Sequence, residues 1–156
     1  MEIAKPYLLF LGDVHDQLAA KTAQGVAHWR PEWCIGQLRM PGCKADLKLP
    51  DMTLEQAKAA GVKTIIVGVA NRGGLIGESW TGILKQALEM GMDLASGLHK
   101  RLVDMPVLAD TARKLGRNLF DVRHPTRDFA VGTGKKRKGK RMLTVGTDCS
   151  IGKMYT

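Results

Sequence analysis

The chain has 156 residues, 44% apolar and 25% charged, and carries a formal net charge of +9 at pH 7. Those proportions exclude a disordered or fibrous polypeptide and fit a globular domain large enough to bury its own core. Six bases (Lys135, Lys136, Arg137, Lys138, Lys140 and Arg141) fall in one seven-residue run, and without them the balance drops to +3. The basicity is therefore local, and pI by itself is no argument for a nucleic-acid-binding surface.

Taken in chain order, Tyr7 to Leu11 is a continuous apolar run of strand length, followed by Gly12-Asp13. Continuous apolarity implies burial on both faces, as in a parallel sheet. Asp16 is placed to cap a helix reaching about Ala27, and a short Cys34-Ile35 segment ends at Gly36. Thr53 and Gln56 have capping-box spacing ahead of a short helix that ends at Gly61. Thr64 to Val69 is the clearest strand, stopped by Asn71-Arg72-Gly73-Gly74. Ser79 opens a helix with Trp80, Ile83, Leu84, Ala87 and Leu88 along one face. Asp93 to Ala95 is a brief strand leading into Gly97-Leu98-His99. Pro106 starts a helix ended by Gly116, and Leu119 to Val122 is a further strand.

Strands alternating with helices of about ten residues predict an α/β fold, a Rossmann-like three-layer domain on a parallel sheet, over residues 1–130. Residues 131–140 read as a basic, Gly-rich linker. Residues 141–156 read as a new strand, Arg141 to Val145, entering the start of a P-loop domain. Three cysteines (Cys34, Cys43, Cys149) without CxxC spacing argue against a disulfide framework or a four-ligand zinc site, and no metal is expected. No stretch approaches the roughly 18 apolar residues that span a bilayer. Met-Glu-Ile-Ala-Lys-Pro6 lacks the regions of a secretory leader, so the expected location is cytoplasmic.

The segment Gly146-Thr-Asp-Cys-Ser-Ile-Gly-Lys153 follows a strand and ends Gly-Lys, the layout of a phosphate-wrapping loop at a helix N-terminus. Thr147, Asp148, Cys149, Ser150, Gly152 and Lys153 are the phosphate-binding candidates. The spelling resembles the variant P-loop of dethiobiotin synthetases. Met154 stands where a magnesium-binding hydroxyl belongs, which weakens an ATP–magnesium reading. A P-loop strand needs its own sheet and its helix a further strand, so the expectation is a fragment of a longer protein, partnered by its own C-terminal P-loop domain and inactive alone. The glycines after the first strand and at Gly73-Gly74 do not spell G-x-G-x-x-G, so no dinucleotide fingerprint is present.

Tyr7-Leu-Leu-Phe-Leu-Gly-Asp13, Lys21-Thr22-Ala23, Trp29-Arg-Pro-Glu-Trp33, Val69-Ala-Asn-Arg-Gly-Gly74, Gly97-Leu-His99, Phe120-Asp-Val-Arg123 and Gly146-Thr-Asp-Cys-Ser150 together carry a resemblance. The chain resembles a bacterial and archaeal family, long of unknown function, with a Rossmann-like N-terminal domain and a P-loop C-terminal domain. The family includes D-glutamate N-acetyltransferases of D-amino-acid catabolism, which implies acetyl-CoA as co-substrate.

In open α/β sheets ligands bind beyond the C-terminal ends of the strands. Asp13 and His99 are the candidate bases for an attacking amine, and Arg72 or Arg123 the clamp for a carboxylate, with Asn71 and Gly73 completing the substrate loop. Each has a structural alternative: Asp13 as a cap, Gly73-Gly74 as a turn, His99 as a surface residue. Cys149 as an acetyl carrier is a minor alternative. The basic run reads first as a solvated linker, then as a contact for CoA phosphates. No aromatic residues interleave it and no reading helix accompanies it, so a nucleic-acid partner is not expected. The competing functional readings are an ATP-dependent ligase-like P-loop enzyme and a basic assembly module. A homo-oligomer is expected.

Overall fold

The computed structural model describes residues 2–70, 76–125, 128, 130, 132–136, 138–140 and 142–145. The chain divides into two compact units, Met1–Pro125 and Thr126–Thr156. The first holds five parallel strands, β1 (Tyr7–Gly12), β2 (Cys34–Arg39), β3 (Thr64–Val67), β4 (Asp93–Ser96) and β5 (Leu119–Asp121). They are ordered β2-β1-β3-β4-β5. The helices α1 (Lys21–Trp29), α2 (Leu54–Ala59), α3 (Glu78–Glu89) and α4 (Pro106–Leu115) supply the crossovers. This is the Rossmann-like α/β arrangement that the alternating pattern predicts.

The apolar run of β1 lies at the sheet's interior, and all six of its residues are buried. Across the sheet Leu8 stands opposite Ile65, Ile65 opposite Leu94, and Leu94 opposite Leu119. The first three are wholly buried, each contributing about 1.5–3 kcal/mol of apolar burial. Helix α3 adds its stripe of Trp80, Leu84, Ala87 and Leu88 to the core. Helix α2 begins with the reciprocal capping box read from Thr53 and Gln56.

Several boundaries differ from the sequence reading, for local reasons. Asp16 is not the cap of α1, which starts at Lys21; its carboxylate accepts from Ala19 N–H at 2.7 Å in the 3-10 turn Leu18–Ala20 that precedes the helix, with Gln17 at the turn's N-cap. Strand β2 runs through Gly36 to Arg39 because β1 pairs with it over that length. Helix α3 starts at Glu78 from an extended Gly77 rather than at Ser79. β3 stops at Val67, where helix α1 takes over the backbone: Ala23 N–H donates to Gly68 O at 2.9 Å and Ala70 N–H to Ala19 O at 2.7 Å. A Cβ on Gly68 would lie 2.4 Å from Ala23 Cβ, so glycine is what lets the helix come that close.

In the second unit, the strand expected at Arg141 to Val145 is not formed by its described residues 142–145. Met142, Leu143 and Val145 are exposed instead.

Candidate functional site

The loops at the C-terminal ends of β1, β4 and β5 carry the described candidates. Gly12 closes β1 with φ +59°, and the indole of Trp80 sits directly on it. That placement aims Trp80 Nε1–H at the next residue, donating to Asp13 Oδ1 at 2.8 Å. The neighbouring edge-to-face contact with Phe10, 5.5 Å between centroids, holds the indole from below. Asp13 is thus half-buried and oriented by a side chain from α3, which the sequence reading did not connect to it.

Beyond β4, the Ser96 hydroxyl accepts from Leu98 N–H at 3.2 Å and opens the loop that presents His99. His99 and Arg123 are both exposed, consistent with groups meeting a ligand from solvent. The loop's far end is anchored from β5: the Asp121 carboxylate accepts from Leu102 N–H at 2.6 Å and Val103 N–H at 3.2 Å. Asp121 therefore acts as a clamp for the turn Leu102–Asp104, a role hidden in the sequence because its partners lie 18 and 19 residues away. Val122 N–H donates to Ser96 O at 3.0 Å, joining the β4 and β5 loops. His124, two residues from Val122, has a buried Nε2 without a hydrogen-bond partner among the described residues. An unmet imidazole nitrogen beside these loops makes His124 a candidate alongside His99.

Asn71, Arg72 and Gly73, and the loop residues Thr147, Asp148, Cys149, Ser150, Gly152 and Lys153, lie outside the described residues. Among the described residues no group of three His, Cys, Asp or Glu is placed to hold a metal ion. None of their helices is long and apolar enough to cross a membrane.

On the β2 side, the buried Gln37 pins the following loop, its amide donating to Asp46 Oδ1 at 2.9 Å while its oxygen accepts from Leu47 N–H at 2.8 Å. Hydrogen bonds from the Lys48 ammonium, Gln37 and the Lys48 amide hold the Asp46 carboxyl well below the usual carboxylate range. Arg39 pairs with Asp51 through two guanidinium nitrogens and lowers that carboxyl as well. Burial, with Glu32 adding to it, pushes the Cys34 thiol up to about 11, so it stays protonated and unreactive near neutrality.

In a dinucleotide-binding Rossmann domain the pyrophosphate sits on the N-terminus of the first helix. Here the 3-10 turn and α1 commit N–H groups to Asp16 and Gly68 instead. The fold and this edge define a Rossmann-like α/β domain whose candidate ligand groups sit in its strand-end loops rather than on a glycine-rich phosphate turn.

Residues 38–125 match the model of a Rossmann-like domain of unknown function, DUF1611_N, and residues 128–156 match the P-loop domain of the same family. The chain belongs to the DUF1611 family. A protein of Tritonibacter scottomollicae named D-glutamate N-acetyltransferase is 59% identical over 99% of this chain and 46% of its own length. One of the same name from a Pseudoalteromonas species is 48% identical over the whole of this chain and 47% of its own length. The chain thus spans about half the length of the curated relatives it matches. The crystal structure of a DUF1611 family protein from Anabaena variabilis superposes with a TM-score of 0.68 at 22% identity, over 83% of this chain and 40% of that one, and shares the fold.

Proposed function

We propose that this chain is the N-terminal half of an N-acetyltransferase that moves the acetyl group of acetyl-CoA onto the amine of D-glutamate. The observation that carries the reading is the 59% identity, over nearly all of this chain, to a protein named for that activity. In such a reaction the ammonium loses a proton, the amine attacks the thioester carbonyl, an N–C bond forms, the C–S bond breaks, and CoA leaves as its thiol. His99 takes the proton, with Asp13 as the second candidate, one of whose oxygens is already committed to Trp80. Glutamate brings two carboxylates, which suit Arg123 and Arg72 in bidentate pairs, with Asn71 and Gly73 beside them. Thr147, Asp148, Cys149, Ser150, Gly152 and Lys153 hold CoA phosphates once the P-loop domain is complete. The working protein includes that C-terminal domain and acts in the cytoplasm, where Cys34 and Cys43 remain free thiols.

The test uses the protein at the length of its curated relatives, with labelled acetyl-CoA and D-glutamate. Labelled N-acetyl-D-glutamate and one free CoA thiol per turnover, without ATP, are expected. His99→Ala is expected to lower kcat by about 10²–10⁴. Turnover that requires ATP and ignores acetyl-CoA overturns the reading, as does transfer unaffected by both His99→Ala and Asp13→Ala.

A further inference from the structure

Along one side of helix α1 runs a groove of about 660 Å³, and every described residue of its lining lies in Met1–Pro125. Val26 and Trp29 form its helix wall, and Ile66, Ala95 and Val122 its sheet wall. Trp29 is 72% exposed and Val122 50%, so this apolar surface is open to solvent among the described residues. A largely apolar concavity of several hundred Å³ with a few polar groups at its edges is the ordinary form of a small-molecule site.

The polar groups stand at the two ends of α1, about 13 Å apart at 1.5 Å per residue. Lys21 and Thr22 line the groove where α1 starts, and Tyr7 and Arg30 line it where α1 stops. The Tyr7 hydroxyl donates to Ile3 O at 3.1 Å, and its oxygen can still accept. Arg30 spends one Nη1–H on Trp29 O at 2.7 Å and keeps its other guanidinium donors. Its guanidinium lies 5.1 Å from the Trp33 ring centroid, and the Lys5 ammonium 4.4 Å from the same ring. Two cations thus share one indole, and among the described residues neither has a carboxylate in ion-pair range. Like charges gathered without an acid attract an anion.

Gly25 occupies the middle of α1 and the wall of the groove. Glycine is the poorest helix former after proline, and one inside a helix calls for a reason in packing or function. Packing supplies none, because a Cβ on Gly25 meets nothing within 4 Å. What the glycine provides is bare helix backbone beside the Trp29 indole one turn on, a wall suited to a planar ring.

These features select the ligand. A small dicarboxylate would leave the apolar walls wet, and a long alkyl chain would overrun the roughly 13 Å between the polar ends. A flat ring with one carboxylate covers the walls and brings its charge to Arg30, whose planar fork takes a carboxylate in two parallel hydrogen bonds. We propose that this groove is a binding site for a small aromatic carboxylate, its ring against Gly25 and Trp29 and its carboxylate on Arg30. The site is independent of the acetyl-transfer reading, since it uses none of the groups named there.

The test titrates this chain, labelled with 5-fluorotryptophan, with naphthalene-1-acetate and with its neutral counterpart naphthalene-1-acetamide. Binding is followed by ¹⁹F NMR and calorimetry, and Trp29→Phe and Trp33→Phe assign the resonances. Naphthalene-1-acetate is expected to shift Trp29 and Trp33 saturably, with a Kd of about 1 mM or tighter. Trp80, which is not part of the lining, is expected to stay still. The amide is expected to bind at least about tenfold more weakly, as loss of a charge-assisted pair requires. Gly25→Leu fills the slot without striking protein atoms and is expected to abolish the shifts. Arg30→Gln is expected to reduce the acid to the affinity of the amide, and Lys114→Gln, exposed on α4, to change nothing. Both groove variants are expected to melt as cooperatively as the parent. Equal affinity for acid and amide overturns the proposal, as do shifts that survive Gly25→Leu, or none at about 10 mM ligand. A Trp29 shift that grows with protein concentration alone makes the groove a contact between copies and equally overturns it. Displacement of the probe by acetyl-CoA at lower concentration gives the groove to the co-substrate, with the same consequence.

Discussion

Gly12→Ala tests the contact that orients the β1 edge of the site. An alanine at φ +59° occupies the left-handed region, which costs an L residue about 1–2 kcal/mol. Its Cβ would also lie 2.5, 2.6 and 2.8 Å from three indole atoms of Trp80, where ordinary contact begins near 3.4 Å. The indole cannot retreat freely, because Phe10 packs against it and Asp13 accepts its N–H. Forced overpacking of this kind costs about 1–3 kcal/mol. The two effects together come to roughly 2–5 kcal/mol, a fall in Tm of about 6–20 °C for a unit of this size. Urea denaturation followed by circular dichroism, with calorimetry for Tm, measures it. Repeating the substitution in a Trp80→Leu background separates the terms: with the indole gone only the backbone cost of about 1–2 kcal/mol should remain. Equal costs in the two backgrounds would refute the steric argument, and a loss under about 0.5 kcal/mol in the parent would refute both parts.

Asp121→Ala removes the acceptor for two backbone N–H groups and is expected to cost about 2–3 kcal/mol, with exchange at Leu102 and Val103 accelerating ahead of the core; unchanged protection there would contradict the clamp. Asp46 and Asp51 have folded-state values held below the ordinary carboxylate range, so their contribution to stability is complete above about pH 4 and is lost as pH falls toward those depressed values. Asp46→Asn should therefore flatten the fall in stability between about pH 4.5 and 2.5, and an unaltered slope would exclude Asp46 as a source. Iodoacetamide at pH 7.5, read by peptide mass mapping, should modify the half-buried Cys43 well before Cys34, whose thiol sits near 11; the reverse order would contradict the burial argument.

The periodic elements were legible because their signals are local. The apolar run of β1, the capping box of α2, the stripe of α3 and the Pro106–Gly116 punctuation of α4 each act within a few residues. The boundary errors arose where a distant segment intervened. β3 ends at Val67 because α1 claims the next carbonyl, and the described residues 142–145, read as part of a strand, do not form one.

The candidate site divides in the same way. Gly12-Asp13, His99 and Arg123 were identifiable because the rule that ligands meet strand C-termini needs only strand positions. Their roles needed contacts between distant residues. The Trp80–Asp13 bond joins positions 67 residues apart, and the Asp121 carboxylate holds a loop 18 and 19 residues away in the chain. The sequence by itself determined the α/β class, the family and the order of the elements, since hydrophobic period and turn chemistry are written in neighbouring residues. Only the tertiary structure decided which carboxylates are held by other groups, how closely α1 approaches Gly68, and that Trp80 orients Asp13. Those are properties of approach between segments remote in the chain, and no local pattern encodes them.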